Sequence, residues 1–91
     1  MAQIAVNVVA SDQSVWSGPA KLVSAPAADG EIGILAGHLP ILSVLNAGHV
    51  RITEEDGNKL DFTITGGFMS VDADVVNIVA DKVVQNSPVS A

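Results

Sequence analysis

The stretch "HVRITEEDGNKLDFTIT", residues 49–65, contains two strand-like runs on either side of a tight turn. In the second run Leu60, Phe62 and Ile64 occupy every second position, so they lie on one face of a strand and the polar residues between them lie on the other. The Asp-Gly pair at the centre of the turn is typical of a hairpin connection. The stretch therefore predicts an antiparallel hairpin with one buried face.

The rest of the chain repeats short apolar runs that are separated by turn residues. In "QIAVNVVA", residues 3–10, Ile4, Val6 and Val8 share one face of a strand. Proline and glycine end the following runs, and no amphipathic run is long enough for a helix. "PILSVLNAG", residues 40–48, is compatible with helical turns, and we interpret it as a short strand or an irregular crossover. The pattern predicts an all-β domain, a flattened antiparallel β-sandwich or barrel of about ten short strands.

Length and composition limit the classes of protein to which the chain can belong. Its 91 residues suggest one domain, which we place at residues 1–84 and expect to be followed by a short polar tail at 85–91. With 48 % hydrophobic and 15 % charged residues, the chain is expected to fold. The net charge of −6 disfavours nucleic acid and anionic membrane surfaces as partners. The chain has no cysteine, which excludes disulfides and thiolate metal sites.

The sequence shows no targeting segment and no membrane segment. No apolar run approaches the roughly 20 residues that span a bilayer, and the N-terminal residues 1–13 lack the basic region of a signal peptide. We therefore expect a cytoplasmic location without direct membrane insertion, so that any association with a membrane goes through another protein.

The stretch "DGEIGILAGHLP", residues 29–40, concentrates glycine, acidic residues and a histidine. Its glycine spacing matches neither the dinucleotide motif nor the P-loop, no lysine lies nearby and no helix follows, so no phosphate site is expected. His38 and His49 do not have the spacing of zinc ligands, and the carboxylates lie mostly in turns, where they are solvated. No catalytic residue, no cofactor and no metal is therefore predicted.

A mixed polar and apolar surface is the remaining interpretation of this stretch. Glu31 and His38 stand beside Ile34, Leu35 and Leu39, and such a surface on a rigid scaffold is typical of protein recognition. A free-standing β-sandwich that binds a small ligand or a glycan stays open as an alternative. That alternative needs an aromatic platform, and the chain has only three aromatic residues, of which at least two are expected in the core: Trp16, Phe62 and Phe68.

Three segments of the chain together resemble the sequence of one known protein family. "GEIGILAGHLPILSVLNAGHVRI", residues 30–52, closely resembles the epsilon subunit of F-type (rotary, proton-translocating) ATP synthases. "VVASDQSVWSG", residues 8–18, is similar to the first two strands of that family, and "ITGGFMSVDADVVNIVAD", residues 64–81, is similar to its closing strands. The resemblance covers nearly the whole chain, and the glycine-histidine-proline stretch followed by a distant Gly-Gly-Phe is a specific combination.

This resemblance implies a non-catalytic part of the rotor. The N-terminal domain of the family is a flattened ten-stranded β-sandwich in the central stalk, where it docks the gamma subunit onto the c-ring and couples proton flow to ATP synthesis. Glu31 matches the acidic position that contacts the c-ring, and His38 and Ser43 match positions on the rotor-facing side. Apolar neighbours are expected to supply most of the binding energy: Ile34, Leu39 and Leu42.

The sequence departs from the family pattern at its C-terminal end. Most members continue into a hairpin of two helices, which can inhibit ATP hydrolysis and in some members binds ATP. Residues 85–91, "QNSPVSA", lack a helix-forming run, and Pro88 disfavours a helix. The C-terminal helical domain is therefore expected to be absent, and no nucleotide binding is predicted. The resemblance further implies a peripheral position at the cytoplasmic face of the bacterial cell membrane.

Overall fold

The computed structural model describes residues 3–11 and 13–86, and these residues form ten short strands without a helix. This confirms the predicted all-β domain of about ten strands. The connections are tight, as the turn residues of the sequence predict. The strands are β1 (Ile4–Ala10), β2 (Gln13–Ala20), β3 (Leu22–Ala27), β4 (Gly30–Ile34), β5 (Ile41–Leu45), β6 (Gly48–Thr53), β7 (Lys59–Ile64), β8 (Gly67–Asp72), β9 (Val75–Ala80) and β10 (Val83–Asn86).

The strands form one nearly closed sheet that folds into two layers around a single core. Its order is β10-β7-β6-β3-β5-β8-β9-β1-β2, and β4 pairs with β3. Along one edge β3 pairs with β4; along the other it pairs first with β6, at residues 22–24, and then with β5, at Ala27. Because β3 changes neighbours in this way, it passes from the layer of β6, β7 and β10 into the layer of β5, β8, β9, β1 and β2.

One strand pair corrects the prediction of a purely antiparallel sheet. Strand β1 lies between its hairpin partner β2, which is antiparallel, and β9, which runs parallel to it from Ala5 opposite Val75 to Ala10 opposite Ala80. The sheet is therefore mixed. The alternation of apolar residues reports which face of a strand is buried, but it carries no information on strand direction, so the sequence pattern could not reveal this pair.

The core is built from the alternating apolar residues of both layers. Phe62 on β7 is fully buried, as are the alternating residues of β1, and no polar or charged side chain is buried in the part of the chain that the structure describes. The rings of Phe62 and Trp16, on β7 and β2, lie 6.4 Å apart between centroids. Trp16 is half-buried and packs against the core.

The β6–β7 connection is the hairpin turn that the Asp-Gly pair predicts. Gly57 has a φ of 91°, a value that favours glycine, and its N–H donates to the carbonyl of Glu54 at 3.0 Å. The carboxylate of Asp56 accepts hydrogen bonds from the backbone N–H of Asn58 at 3.0 Å and from its side-chain amide at 3.1 Å. These bonds close the turn, and the two strands pair in register from Thr53 opposite Lys59.

The last strand extends beyond the predicted end of the domain. Strand β10 pairs with β7, with Gln85 opposite Phe62 and Asn86 opposite Asp61. Two residues of the expected tail therefore belong to the sheet, and residues 87–91 lie outside the described part of the chain.

The double glycine at the start of β8 is a point of close backbone approach. A Cβ atom added to Gly67 would lie 1.9 Å from the carbonyl oxygen of Val79, and one added to Gly66 would lie 3.2 Å from the carbonyl oxygen of Leu45. Only a residue without a side chain lets β8 approach β9 and β5 this closely.

Replacement of the central aromatic residue is the sharpest test of this core. We expect Phe62→Ala to lower the free energy of unfolding by about 3–5 kcal/mol, because it leaves a cavity between the layers. Phe68→Ala removes the same ring from a position that is 54 % exposed, and should cost less than about 1 kcal/mol. Urea unfolding monitored by Trp16 fluorescence measures both, and equal losses would contradict the assignment of Phe62 to the core.

Replacement of Gly67 tests the close approach of the strands. Gly67→Ala should cost about 1–3 kcal/mol or more, since a backbone oxygen occupies the space of the new methyl group. Gly57→Ala serves as the control, because its Cβ would meet nothing within 4 Å and only the left-handed backbone is penalised, by about 1–2 kcal/mol. Chemical denaturation of both variants checks this, and a Gly67→Ala variant that is more stable than Gly57→Ala would refute it.

Candidate interaction surface

The ionisable side chains of the described residues do not build a reactive centre. None of them is buried, and no three histidine, aspartate or glutamate side chains come close enough together to hold a metal ion. The one salt bridge among them joins His49 Nδ1 to Asp61 Oδ1 at 3.0 Å, on the outer surface of β6 and β7. The exposed apolar side chains of the domain are therefore the next candidates for a functional surface.

An exposed apolar area covers the outer side of β5, β8 and β9. The register places Val44 opposite Phe68 and Phe68 opposite Val79, so that these three side chains form one row across three strands. Val44 is 56 % exposed and Phe68 54 %. We call this area, together with Leu42 and Val75, the apolar face; its members are exposed large hydrophobic residues.

A line of uncharged polar groups runs beside this row. Leu42 lies opposite Ser70, Ser70 opposite Asn77, and Asn77 opposite Asn7 on the parallel strand β1. The side-chain amide of Asn7 donates a hydrogen bond to Oδ1 of Asn77 at 2.9 Å. The two central rows of the layer thus present hydrocarbon, hydroxyl and amide groups but no charge, which is typical of the centre of a protein–protein interface.

The loop of residues 35–40 lies just before β5, at one end of the apolar face. Leu39 is 77 % exposed. The N–H of Gly37 donates to Oδ1 of Asp74 at 2.7 Å, and the N–H of His38 donates to the carbonyl of Leu35 at 3.2 Å. Since β5 and β8 are antiparallel, this loop lies beside the β8–β9 turn, at one end of the apolar face.

The structure separates the residues that the sequence places together. Leu42 belongs to the apolar face, while Leu39 is exposed and His38 is half-buried in the 35–40 loop. Glu31 is exposed, but it lies opposite Pro26 at the other end of β4, roughly 13 Å along the strand from Leu35 at about 3.3 Å per residue. The stretch 29–40 is thus a strand with a turn at each end, and it does not present one continuous loop.

One of the predicted surface positions is corrected by the structure, and a second, Ser43, stays a prediction. Ile34 is fully buried in the core, because it is the inward-facing residue of β4 opposite Val23. It stabilises the fold and has no surface to offer a partner. Ser43 lies opposite Met69, which is buried, and so it points to the side of β5 away from Leu42.

Sequence reasoning missed the central residues of the apolar face, Val44, Phe68 and Val79. Strand β9, "VVNIVA", is apolar on both faces, so its periodicity did not distinguish the buried Val76 and Ile78 from the exposed Val79. A strand that reads as nearly continuous hydrophobic residues is typical of a strand covered on both sides. That signal could have indicated that the outer side of this layer is also covered.

Comparison with known proteins shows the family to which the chain belongs. Residues 3–86 match the family model described as "ATP synthase, Delta/Epsilon chain, beta-sandwich domain". The ATP synthase epsilon chain of Micrococcus luteus is 48 % identical over 80 residues, which cover 88 % of this chain and 88 % of that protein. The chain belongs to the ATP synthase epsilon family. The epsilon chain of Rhodococcus erythropolis is 46 % identical over 83 residues, 90 % of this chain and 68 % of that protein.

Solved structures agree with this assignment. A chain in the structure of the Euglena gracilis mitochondrial ATP synthase, which comprises OSCP, F1 and the c-ring, superposes with a TM-score of 0.88 at 30 % identity. The match covers 93 % of this chain but only 54 % of the Euglena chain, so this chain spans about half the length of that relative. A central stalk/c-ring structure from Tetrahymena thermophila has a TM-score of 0.72 at 19 % identity over 89 % of this chain and 65 % of that one, and it shows the shared fold alone.

Membership in the epsilon family confirms the resemblance drawn from the sequence. The chain is an epsilon chain, a non-catalytic component of the membrane-bound ATP synthase. Across residues 3–11 and 13–86 there is no helix long and apolar enough to cross a bilayer. The alternative of a glycan-binding sandwich finds no support in the geometry, because Phe62 is buried, Trp16 is half-buried and Phe68 alone is an exposed aromatic side chain.

Proposed function

We propose that this chain docks the gamma subunit onto the c-ring at the cytoplasmic face of a bacterial cell membrane. As a peripheral part of the rotor it transmits rotation, and in this way it couples proton flow through the membrane to ATP synthesis. The observation that carries the proposal is the apolar face, an uncharged exposed row of Val44, Phe68 and Val79 on a rigid sheet.

The apolar face suits a partner that stays bound through the working cycle. Lasting interfaces resemble a protein core cut in half, whereas transient ones are more polar. Burial of apolar surface contributes roughly 25 cal/mol per Å² removed from water, and one aromatic side chain near the centre of an interface often dominates its energy. Phe68 lies in the middle of the row between Val44 and Val79, and we assign it this role.

The rigidity of the supporting layer is as relevant as its chemistry. The side chains of the row stand on paired strands whose opposite faces are packed into the core through Met69, Ile78 and Leu45. A partner seated on this row therefore cannot move far without disturbing the core. Such a support suits a subunit that has to pass torque between its neighbours.

The c-ring contact requires a different surface, which we place around Glu31. This carboxylate is exposed at the β3–β4 turn. A charge at the rim of an interface steers and orients a contact with polar loops, but an exposed ion pair contributes only about 0–1 kcal/mol. The two partners are thus assigned to separate places: gamma to the outer side of β5, β8 and β9, and the c-ring to the end of β4 that carries Glu31.

A charge placed in the apolar face tests the docking of gamma. Val44→Asp should weaken the binding of the cognate gamma subunit by about 30-fold or more, or roughly 2 kcal/mol, because a carboxylate would be buried among apolar groups. Isothermal titration calorimetry with purified gamma gives the dissociation constant. The unmodified chain has to bind gamma in this assay, and an unmodified chain that shows no binding would overturn the proposed function.

Val84→Asp supplies a matched control for this experiment. Val84 is 59 % exposed, close to the 56 % of Val44, but it lies on β10 in the other layer. The two variants share the substitution, the change in charge and the exposure, so only the location differs. We expect Val84→Asp to bind gamma as the unmodified chain does; an equal loss in both variants would remove the apolar face from the interface.

Reversal of the charge at position 31 tests the contact with the c-ring. Glu31→Lys should lower the affinity of the chain–gamma complex for vesicles that contain the c-ring by up to about fivefold at low salt, and the difference should shrink as added salt screens the charges. Co-sedimentation with the vesicles measures it. Glu55→Lys, in the exposed β6–β7 turn, makes the same change in net charge elsewhere; equal behaviour of the two variants would count against Glu31.

A further inference from the structure

The turn between β8 and β9 contains two consecutive residues other than glycine with a left-handed backbone. Ala73 has a φ of 50° and Asp74 a φ of 63°. They connect a tight hairpin in which Asp72 lies opposite Val75. Hairpin turns with this backbone favour asparagine or aspartate followed by glycine. Glycine at position 74 would relieve the backbone strain. The aspartate found there keeps that strain, as residues with a functional side chain often do.

The carboxylate of Asp74 joins the turn to a second loop. Its Oδ1 atom accepts a hydrogen bond from the N–H of Gly37 at 2.7 Å, a short distance that fits the stronger bonds made by charged acceptors. The backbone carbonyl of Asp74 accepts a second bond, from the N–H of Ala5 on β1 at 2.9 Å. The turn is therefore tied to the sheet by its backbone and to a separate loop by its side chain.

The 35–40 loop, whose Gly37 donates this bond, makes few other hydrogen bonds to the rest of the domain at its apex. Gly37 itself has a φ of 86°, and the hydrogen bonds of His38 run to Leu35 and Leu39 within the loop. Of the described contacts, the Asp74 carboxylate supplies the hydrogen bond that joins this apex to another element. Leu39, two residues after Gly37, is among the most exposed apolar side chains of the domain.

We propose that Asp74 is a positioning residue for partner docking, which holds the 35–40 loop so that Leu39 extends the apolar face. The inference rests on the proposed function, because it concerns the same interface with gamma. Without the bond the loop samples more conformations, and a partner has to order it on binding, which lowers the affinity. Asp74 contributes by arranging the loop beforehand and does not have to touch the partner.

Three variants of the turn separate this role from a general contribution to stability. Asp74→Gly removes the carboxylate and relieves the left-handed backbone, so the midpoint of thermal unfolding should be unchanged or raised while the affinity for gamma falls about five- to tenfold. Asp74→Asn keeps both an acceptor oxygen and a side chain that tolerates this backbone, and should restore most of the affinity. Ala73→Gly relieves strain in the neighbouring residue and retains the carboxylate, so gamma should bind with unchanged affinity.

Two measurements on these variants decide the proposal. Amide hydrogen exchange in the isolated chain reports the bond itself: the Gly37 amide should exchange at least about tenfold faster in Asp74→Gly than in Ala73→Gly, because its acceptor is gone. Calorimetry with gamma then reports the consequence. Because the exchange measurement needs no partner, it tests the bond even if the unmodified chain does not bind gamma, an outcome that would overturn the docking role together with the proposed function.

Several results would overturn the inference while leaving the proposed function intact. If Gly37 exchanges equally fast in all variants, Asp74 does not hold the loop. If Gly37 exchange accelerates in Asp74→Gly but gamma binds it as tightly as the unmodified chain, the loop is held without consequence for docking. If Asp74→Gly loses affinity and thermal stability together, or if Ala73→Gly loses as much affinity as Asp74→Gly, the turn acts through the stability of the fold.

Discussion

The close approach of Gly67 to the carbonyl of Val79 is the constraint on which the functional surface depends. Position 67 has to lack a side chain, since a Cβ there would lie 1.9 Å from that oxygen. The contact sits where β8 begins, opposite the end of β9, and β8 and β9 then pair in register to Asp72 opposite Val75. This register brings Phe68 opposite Val79 and Val44, and it places Ala73 and Asp74 at the turn beside the 35–40 loop. Two features that are distant in the sequence, the apolar row and the loop anchor, therefore follow from one crowded backbone position.

The sequence alone predicts those parts of the fold that local pattern determines. The β6–β7 hairpin and the burial of Phe62 and Ile64 follow from period-two alternation and turn chemistry, and both are present. The parallel pairing of β1 with β9 could not be predicted in this way. It joins segments about 70 residues apart, and the identity of a strand's neighbour depends on the packing of the whole domain.

At the candidate site, too, the sequence predicts some positions correctly and misses others that depend on the packing of the strands. Exposure at Leu39 and Leu42 could be inferred from a stretch rich in glycine and proline, but Ile34 lies one position before Leu35 and faces the core. A reading of residues 29–40 as one loop overlooks that a strand passes through it and sends alternate side chains to opposite faces. The apolar row escaped detection for a different reason: in β9 valines occupy both faces, so alternation had little contrast to report, and in β8 Phe68 shares its face with the polar residues Ser70 and Asp72.

The two layers of the domain differ in a way that favours one of them as the surface a partner covers. The outer side of β6 and β7 carries His49, Arg51 and Asp61, with a salt bridge between the first and the last. Charged groups of this kind remain hydrated in water and lose that hydration in an interface. The central rows of β5, β8 and β9 carry hydrocarbon, hydroxyl and amide groups, which lose little on burial if the polar groups stay hydrogen-bonded. Because Asn7 and Asn77 already bond to each other, part of the polar requirement is met before a partner arrives. The carboxylate of Asp72 lies at the end of this layer, beside the β8–β9 turn, and leaves the central rows without charge. These uncharged rows favour this layer as the covered one, and it is the layer that carries the loop held by Asp74.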